Sequence, residues 1–265
     1  MSVLAVRVRR MILEQSMRAN VGHIGSALSI VDLLTALYGN VLRIHSPGDP
    51  ERDRLVLSKG HAVLALYAVL CATGRLTEDE LGSFCEDGSR LGGHPEHVME
   101  FIDFATGSLG HGLSIGTGAA LAARLDDSPR RVFVVMSDAE CNEGSVWEAA
   151  MFAAHHGLAN LTAIVDVNGQ QALGYTRDVI DLDPLERRWS AFGWDVHEVD
   201  GHDEATLVRT LEGLDTESGR PHVLLANTTF GKGVPYMESR IEWHYWPMDG
   251  DQFAEAMLGL EEARS

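Results

Sequence analysis

Three short apolar runs constrain this chain more than any other feature. Val132–Met136, Leu161–Val167 and Val223–Ala226 carry almost no polar interruption, and residues at helical spacing separate them. A strand with one wet face alternates apolar and polar side chains. An uninterrupted apolar strand is buried on both faces, as in a parallel sheet covered by helices. Arg54–Leu57 and Trp194–Val199 read as two further strands. Helices are predicted over Ser145–His156, Leu185–Phe192 and Glu204–Leu214, with Gln252–Ala263 closing the chain. The first third is helical: Val3–Ala19, Ser26–Val41, Ala62–Ala72, Glu78–Cys85 and Leu113–Leu125. The expected fold is α/β, a doubly wound and mainly parallel sheet flanked by helices. No Pro/Gly/Ser linker divides the chain, so residues 1–265 are expected to form a single domain.

Charge and cysteine usage exclude some function classes. Against 21 basic residues stand 39 acidic ones, a formal charge of −18, which opposes an electrostatic grip on nucleic acid or on an anionic membrane. No stretch approaches the roughly 20 apolar residues that span a bilayer. Cys71, Cys85 and Cys141 are odd in number and scattered, which suits a reducing compartment and a cytoplasmic protein.

Ligands of such sheets bind at the carboxyl ends of the strands, and there the sequence concentrates chemistry. Val132-Phe-Val-Val-Met136 runs straight into Ser137-Asp-Ala-Glu140 and Glu143. Either these acids begin a helix, with Asp138 or Asn142 as cap, or they begin a metal site. Asp138 ends one strand and Asn168 the next. If the strands are neighbours, a carboxylate, an amide oxygen and a backbone carbonyl face one crevice, leaving room on a magnesium ion for diphosphate oxygens and water. Turn residues at strand ends would look the same. Gly107-Ser-Leu-Gly-His-Gly112 is either a tight loop into a helix or a backbone cradle for an anion. His23, His61, His94, His111 and His244 lie in or beside glycine-rich junctions or aromatic segments, where imidazoles can enter a cleft.

Taken in order, Gly22-His-Ile-Gly25, Leu57-Ser-Lys-Gly-His-Ala62, Gly93-His-Pro-Glu96, Thr106-Gly-Ser-Leu-Gly-His-Gly112, Asp138 to Glu148 and Asp166-Val-Asn168 resemble the N-terminal, diphosphate-binding part of transketolase. The resemblance implies a thiamine diphosphate-binding fold, with thiamine diphosphate and Mg2+ as cofactors. It implies transfer of a two-carbon ketol unit from a ketose, or ketose phosphate, to an aldehyde acceptor. By it, Asp138, Asn168 and the carbonyl of Gln170 would ligate magnesium. His61, Gly107, Ser108, Leu109, Ala139, Glu140, Phe230 and His244 would lie along the cofactor. His23, His94, Glu143 and His244 are the catalytic candidates, His23 and His94 facing the donor sugar. Glu143, with Glu148, would join an acidic network between subunits.

Full-length transketolases continue into a pyrimidine-binding domain. The resemblance therefore implies a split enzyme, in which a C-terminal transketolase-type subunit carries that domain on a separate chain, two copies of each assembling. Two departures stand out. Ala139 replaces a family glycine, at a cost of roughly 1 kcal/mol if its φ is positive. Phe230 and Trp243-His-Tyr-Trp246 replace a lysine and a Trp-His-Gly segment. Tyr245 and Trp246 are thus expected either to reshape the substrate entrance or to pack under the last helix. Two other readings stay open: the same chemistry with a non-sugar acceptor, such as a carrier-bound acyl group, or a non-catalytic scaffold subunit.

Overall fold

The computed structural model describes residues 1–262, and the Ala263 end of the last expected helix lies outside the described residues. Helices α1 (Val3–Ala19), α2 (Ile24–Ser29) and α3 (Val31–Ala36) precede strand β1 (Arg54–Leu57). Next come α4 (Val63–Ala72), α5 (Glu78–Gly82), α6 (His111–Leu125), β2 (Val132–Ser137), α7 (Gly144–His155) and β3 (Leu161–Val167). A small hairpin, β4 (Gln170–Gln171) and β5 (Gly174–Tyr175), leads into α8 (Thr176–Val179). The chain continues through α9 (Leu185–Ala191), β6 (Asp195–Asp200), α10 (Glu204–Glu212), β7 (His222–Asn227) and α11 (Gly250–Glu262).

The five long strands form one sheet in the order β1-β2-β3-β7-β6, every pairing parallel. Strand residues alternate between two cores, as a two-residue side-chain period demands. Phe133, Val135, Ile164 and Leu224 join α1, α3, α4 and α10 on one face. Val132, Val134, Met136, Ala163, Val165 and Val223 join α6, α7 and α9 on the other. Continuous apolar strands are therefore explained: each side chain has a covered face to enter.

The expected helix Ser26–Val41 is interrupted. α2 ends at Ser29, Ile30 takes φ −100° and ψ 7°, and α3 passes into a π-helical turn over Leu37–Val41. That segment is apolar all round, so hydrophobic spacing carries no trace of the break. α6 begins at His111, ahead of the expected Leu113, directly after Gly110 in a left-handed conformation.

Candidate active site

The carboxyl ends of β2 and β3 are neighbours, with Ser137 opposite Asp166 in the ladder. Asp138 follows at once, and its N–H donates to the Asp166 carbonyl. Its carboxylate is buried and bridges two turns: Oδ1 accepts from the Ala139 N–H and Oδ2 from the Gly169 N–H, both at 2.8 Å. Gly169 has φ +72°, a conformation that glycine adopts without steric cost. Burial, with the nearby Asp166 carboxylate as second cause, pushes the Asp138 pKa up to about 7. Asn168 Oδ1 accepts from the Gln170 N–H, and its Nδ2 donates to Asp166. Gln170 Oε1 is buried without a partner. Asp138 is thus bonded within the same turn that carries Asn168 and Gln170.

Two further carboxylates, each fully buried, brace this edge. Asp166 accepts from Lys59 Nζ at 2.5 Å, from Ser29 Oγ at 2.7 Å, from Asn168 and from Thr228 Oγ1. Glu140 accepts from Ser58 Oγ, from the Gly110 N–H at 2.7 Å and from the Ser137 N–H at 3.3 Å. Burial raises the Glu140 pKa above the ordinary range, and these hydrogen bonds oppose the shift. Glu140 therefore ties the β1 loop, the glycine loop and the end of β2 together. The glycines answer to that crowding. A Cβ on Gly110, at φ +90°, would meet the Glu143 Cβ at 2.7 Å, and one on Gly112 would meet Ser58 Oγ at 2.1 Å.

Opposite the carboxylates stands a cluster of imidazoles. The ring centroids of His23, His61 and His244 lie 5.3–5.5 Å apart. His23 caps α2 in a left-handed conformation, φ 62°, which costs a non-glycine residue roughly 1–2 kcal/mol. It is held there from both sides: its N–H donates to the His244 carbonyl and its carbonyl accepts from the Ala27 N–H. His61 Nε2 lies 3.1 Å from Ser26 Oγ. Burial lowers the pKa of all three rings, His244 to about 4, and neighbouring positive groups add to the effect. They are neutral at pH 7. His244 Nδ1 is buried with no protein partner.

Between the two groups lies a cavity of about 420 Å³, lined by His23, His61, His94, Gly107, Leu109, Ala139, Glu143, Asn168, Gln170, His244 and Tyr245 among others. Most of the expected site residues meet there. Four do not line it: Ser108, Asp138, Glu140 and Phe230. Ser108 is exposed beside it, Glu140 is buried as a brace, and Phe230 is buried against Gly25 with its ring stacked on His244. Phe230 thus supports an imidazole from behind: glycine at position 25 leaves the volume the ring fills, and a Cβ there would fall 2.0 Å from the ring. Asp138 sits between the lining residues Ser137 and Ala139. Glu143 occupies the cap position of α7 without a side-chain capping bond and is exposed, as is Glu148. Ala139 opens a short 3₁₀ turn and is not among the residues of positive φ.

Sequence reasoning assigned no role to Lys59 or Asp166. The signal was present in both cases: a lysine two residues past the last strand residue Leu57, and an aspartate inside an apolar strand. Among the described residues no three His, Cys, Asp or Glu side chains gather as a metal cluster, so amide and carbonyl oxygens must complete any metal site here.

The sequence matches, over residues 2–264, the family described as transketolase, thiamine diphosphate binding domain. The chain belongs to the transketolase family. It is 42% identical over 256 residues to an apulose-4-phosphate transketolase subunit of Phocaeicola vulgatus, covering 96% of this chain and 91% of that one. It is 40% identical over 258 residues to a 6-deoxy-6-sulfo-D-fructose transketolase subunit of a Clostridium species, covering 96% and 94%. The crystal structure of Campylobacter jejuni transketolase superposes with a TM-score of 0.89 at 27% identity, over 98% of this chain and 43% of that one. This transketolase domain therefore matches those two subunits along nearly their whole length, and the solved enzyme along less than half of its length. Its fold is that of the transketolase cofactor-binding domain, and its relatives are transferase subunits.

Proposed function

We propose that this chain holds magnesium and the diphosphate of thiamine diphosphate for a two-chain transketolase that moves a two-carbon ketol unit from a ketose to an aldehyde. The observation that carries the reading is one cavity flanked by an under-compensated oxygen site and by three neutral imidazoles. The residues fit the absent groups. The Asp138 carboxylate is under-compensated, its pKa held high despite Lys59, and Gln170 Oε1 and His244 Nδ1 lack partners, all beside or within the cavity wall. Asp138, Asn168 and the Gln170 carbonyl would hold Mg2+, an oxygen donor set suited to a hard ion that keeps phosphate and water in its shell.

When bound, thiamine diphosphate supplies the carbon nucleophile that breaks and makes carbon–carbon bonds. The chain's own groups position and polarise. His61 and His244 would face the diphosphate, with Gly107, Ser108 and Leu109 along the cofactor. His23 and His94 would hydrogen-bond the donor's carbonyl and hydroxyl oxygens. A neutral imidazole N–H can donate to an oxygen that gains negative charge and later exchange a proton with it. Being exposed, Glu143 and Glu148 are free to meet a second subunit. The partner would be a C-terminal subunit with the pyrimidine-binding domain, in two copies of each chain. Scattered free cysteines and the absence, among the described residues, of a helix long and apolar enough to cross a membrane accord with a cytoplasmic enzyme. A second reading changes only the acceptor, to a non-sugar aldehyde or acyl group. It draws on Tyr245, an aromatic ring inside the cavity.

The test mixes this chain with the product of the neighbouring gene, Mg2+ and thiamine diphosphate. Ketol transfer from a ketose to an aldehyde is expected only in the assembled complex, with stoichiometric magnesium-dependent cofactor binding by calorimetry. Full activity of this chain alone overturns the split enzyme, and a complex that binds no cofactor overturns the reading.

A further inference from the structure

Behind the imidazoles lies a charged cluster that the metal and cofactor assignments leave unused. Arg9 of α1, Asp32 of α3 and His202, two residues past β6, meet there, and none of them lines the cavity. Arg9 and Asp32 are both buried. Arg9 donates to both carboxylate oxygens, Nη1 to Oδ1 at 3.0 Å and Nη2 to Oδ2 at 2.6 Å, and His202 Nδ1 lies 2.7 Å from Oδ2. Burial alone would raise the Asp32 pKa, but hydrogen bonds from His202 and Arg9 hold it below the ordinary range. The second nitrogen of His202 fixes the tautomer. A backbone N–H can only donate, and that of Thr229 points at Nε2 over 2.8 Å. Nε2 therefore accepts, and the ring proton sits on Nδ1, facing Asp32.

Both outer members of the cluster reach the loop that follows β7. His202 takes the Thr229 N–H, and Arg9 Nε donates to the Lys232 carbonyl at 3.1 Å. Gly233, at φ +93°, lets the loop approach, since a Cβ there would stand 3.0 Å from Arg9 Cδ and Nε. Between these two anchors sits Phe230, its ring against Gly25 and stacked on His244 with centroids 6.2 Å apart. The Gly231 N–H donates to the Gly25 carbonyl, next to Ser26, whose hydroxyl meets His61. The cluster thus holds the loop, the loop holds Phe230, and Phe230 backs the imidazoles. A buried ion pair adds little net stability over apolar side chains of the same volume. What apolar side chains could not supply is a directed hydrogen bond to the backbone on each side of Phe230.

We propose that Arg9, Asp32 and His202 are positioning residues for the cofactor site, an inference that rests on the reading of His244 as diphosphate-facing: by fixing Thr229 and Lys232 they set Phe230, and through its ring they set His244. The experiment measures magnesium-dependent thiamine diphosphate affinity of the assembled two-chain complex by calorimetry. His202→Asn keeps a donor for Asp32 but is too short to reach Thr229. It should weaken binding about tenfold, because small misplacements of a site's supporting groups are that costly. His202→Gln can give its oxygen to Thr229 and its nitrogen to Asp32, and should stay within about twofold of wild type. Phe230→Leu removes the stacked ring and should also cost about tenfold. Adding His202→Asn to it should cost less than about twofold more, because both act through one ring. A loss of about 100-fold in the double variant overturns the route through Phe230, as independent effects would multiply. Wild-type affinity in His202→Asn overturns this inference alone. Should His202→Asn fail to assemble, the other single variants decide: a large loss in His202→Gln, or none in Phe230→Leu, overturns it. A wild-type complex that binds no cofactor overturns the parent reading and this inference with it.

Discussion

Asp53 and Asp138 are both buried at ends of the same sheet, yet they reach opposite electrostatic states. Asp53 precedes β1 at the amino edge and is fully buried. Burial by itself would raise its pKa, but hydrogen bonds from Arg131 and Arg43, each through side chain and backbone N–H, hold it below the ordinary range. Asp138 follows β2 at the carboxyl edge. It too is desolvated, the neighbouring Asp166 carboxylate adds to the rise, and two backbone N–H groups and the Lys59 charge only partly offset these effects. The fold completes Asp53 from its own cations. It leaves Asp138 short of positive charge, the state expected of the metal ligand proposed above.

Exchanging the two residues' fates is the most severe way to break this contrast. Asp138→Ala should weaken magnesium-dependent thiamine diphosphate binding by at least about 100-fold in the assembled complex, since even outer partners of metal ligands are worth 10- to 100-fold. Asp53→Ala should instead lower unfolding stability by about 3 kcal/mol, the lower end for a broken buried pair because Arg43 reaches solvent. Cofactor affinity should stay at the wild-type level. Denaturant unfolding and calorimetric titration of both variants read the two effects separately. If Asp53→Ala abolishes binding while Asp138→Ala spares it, the contrast is wrong.

The two carboxylates should also respond to pH with opposite sign. The Asp53 pKa is depressed, so its stabilisation is present above the unfolded value near 3.8 and is lost as pH falls through the folded one. The folded pKa of metal-free Asp138 is raised to about 7. Its contribution is complete below about 3.8 and is lost as pH rises through about 7. Magnesium takes the ionised form, so loading must displace a proton below that pH. Apparent magnesium affinity of the complex should therefore rise up to tenfold per unit between about pH 5.5 and 7, then level off. Titrations in buffers of different ionisation enthalpy measure the released proton directly. A flat profile with no proton release would show that Asp138 is already ionised without the metal.

The same contrast explains what could be read in the sequence. β1, β3 and α1 fall at the expected limits, because a buried strand or an amphipathic helix writes its period into adjacent residues. The Asp138–Asn168 relation was legible for the same reason: each ends a neighbouring apolar strand. The bracing pair Lys59–Asp166 spans 107 residues, and no local pattern encodes a pairing at that distance. Phe230 was placed with the cofactor by the resemblance, where it stands at the position of a family lysine. Gly25, about two hundred residues away, is what admits the ring to the core. The hairpin of β4 and β5, with two residues in each strand, is too short to carry a period at all.

The smallest expected effect lies one residue past Asp138. A methyl at position 139 would be costly only if the backbone there were left-handed, and it is not. Ala139 instead opens a 3₁₀ turn, with its N–H given to Asp138 Oδ1 at 2.8 Å. That hydrogen bond depends on the peptide plane, not on the side chain, so glycine would make it equally well. Glycine would, however, loosen the turn, at a cost of about 0.5–1 kcal/mol. Ala139→Gly should therefore lower the unfolding midpoint slightly and change magnesium-dependent cofactor affinity less than about threefold, or 0.7 kcal/mol. A tenfold gain in affinity would mean that the methyl obstructs the diphosphate. The departure from the family's glycine would then be a defect of the cofactor site, and not a substitution that the turn absorbs.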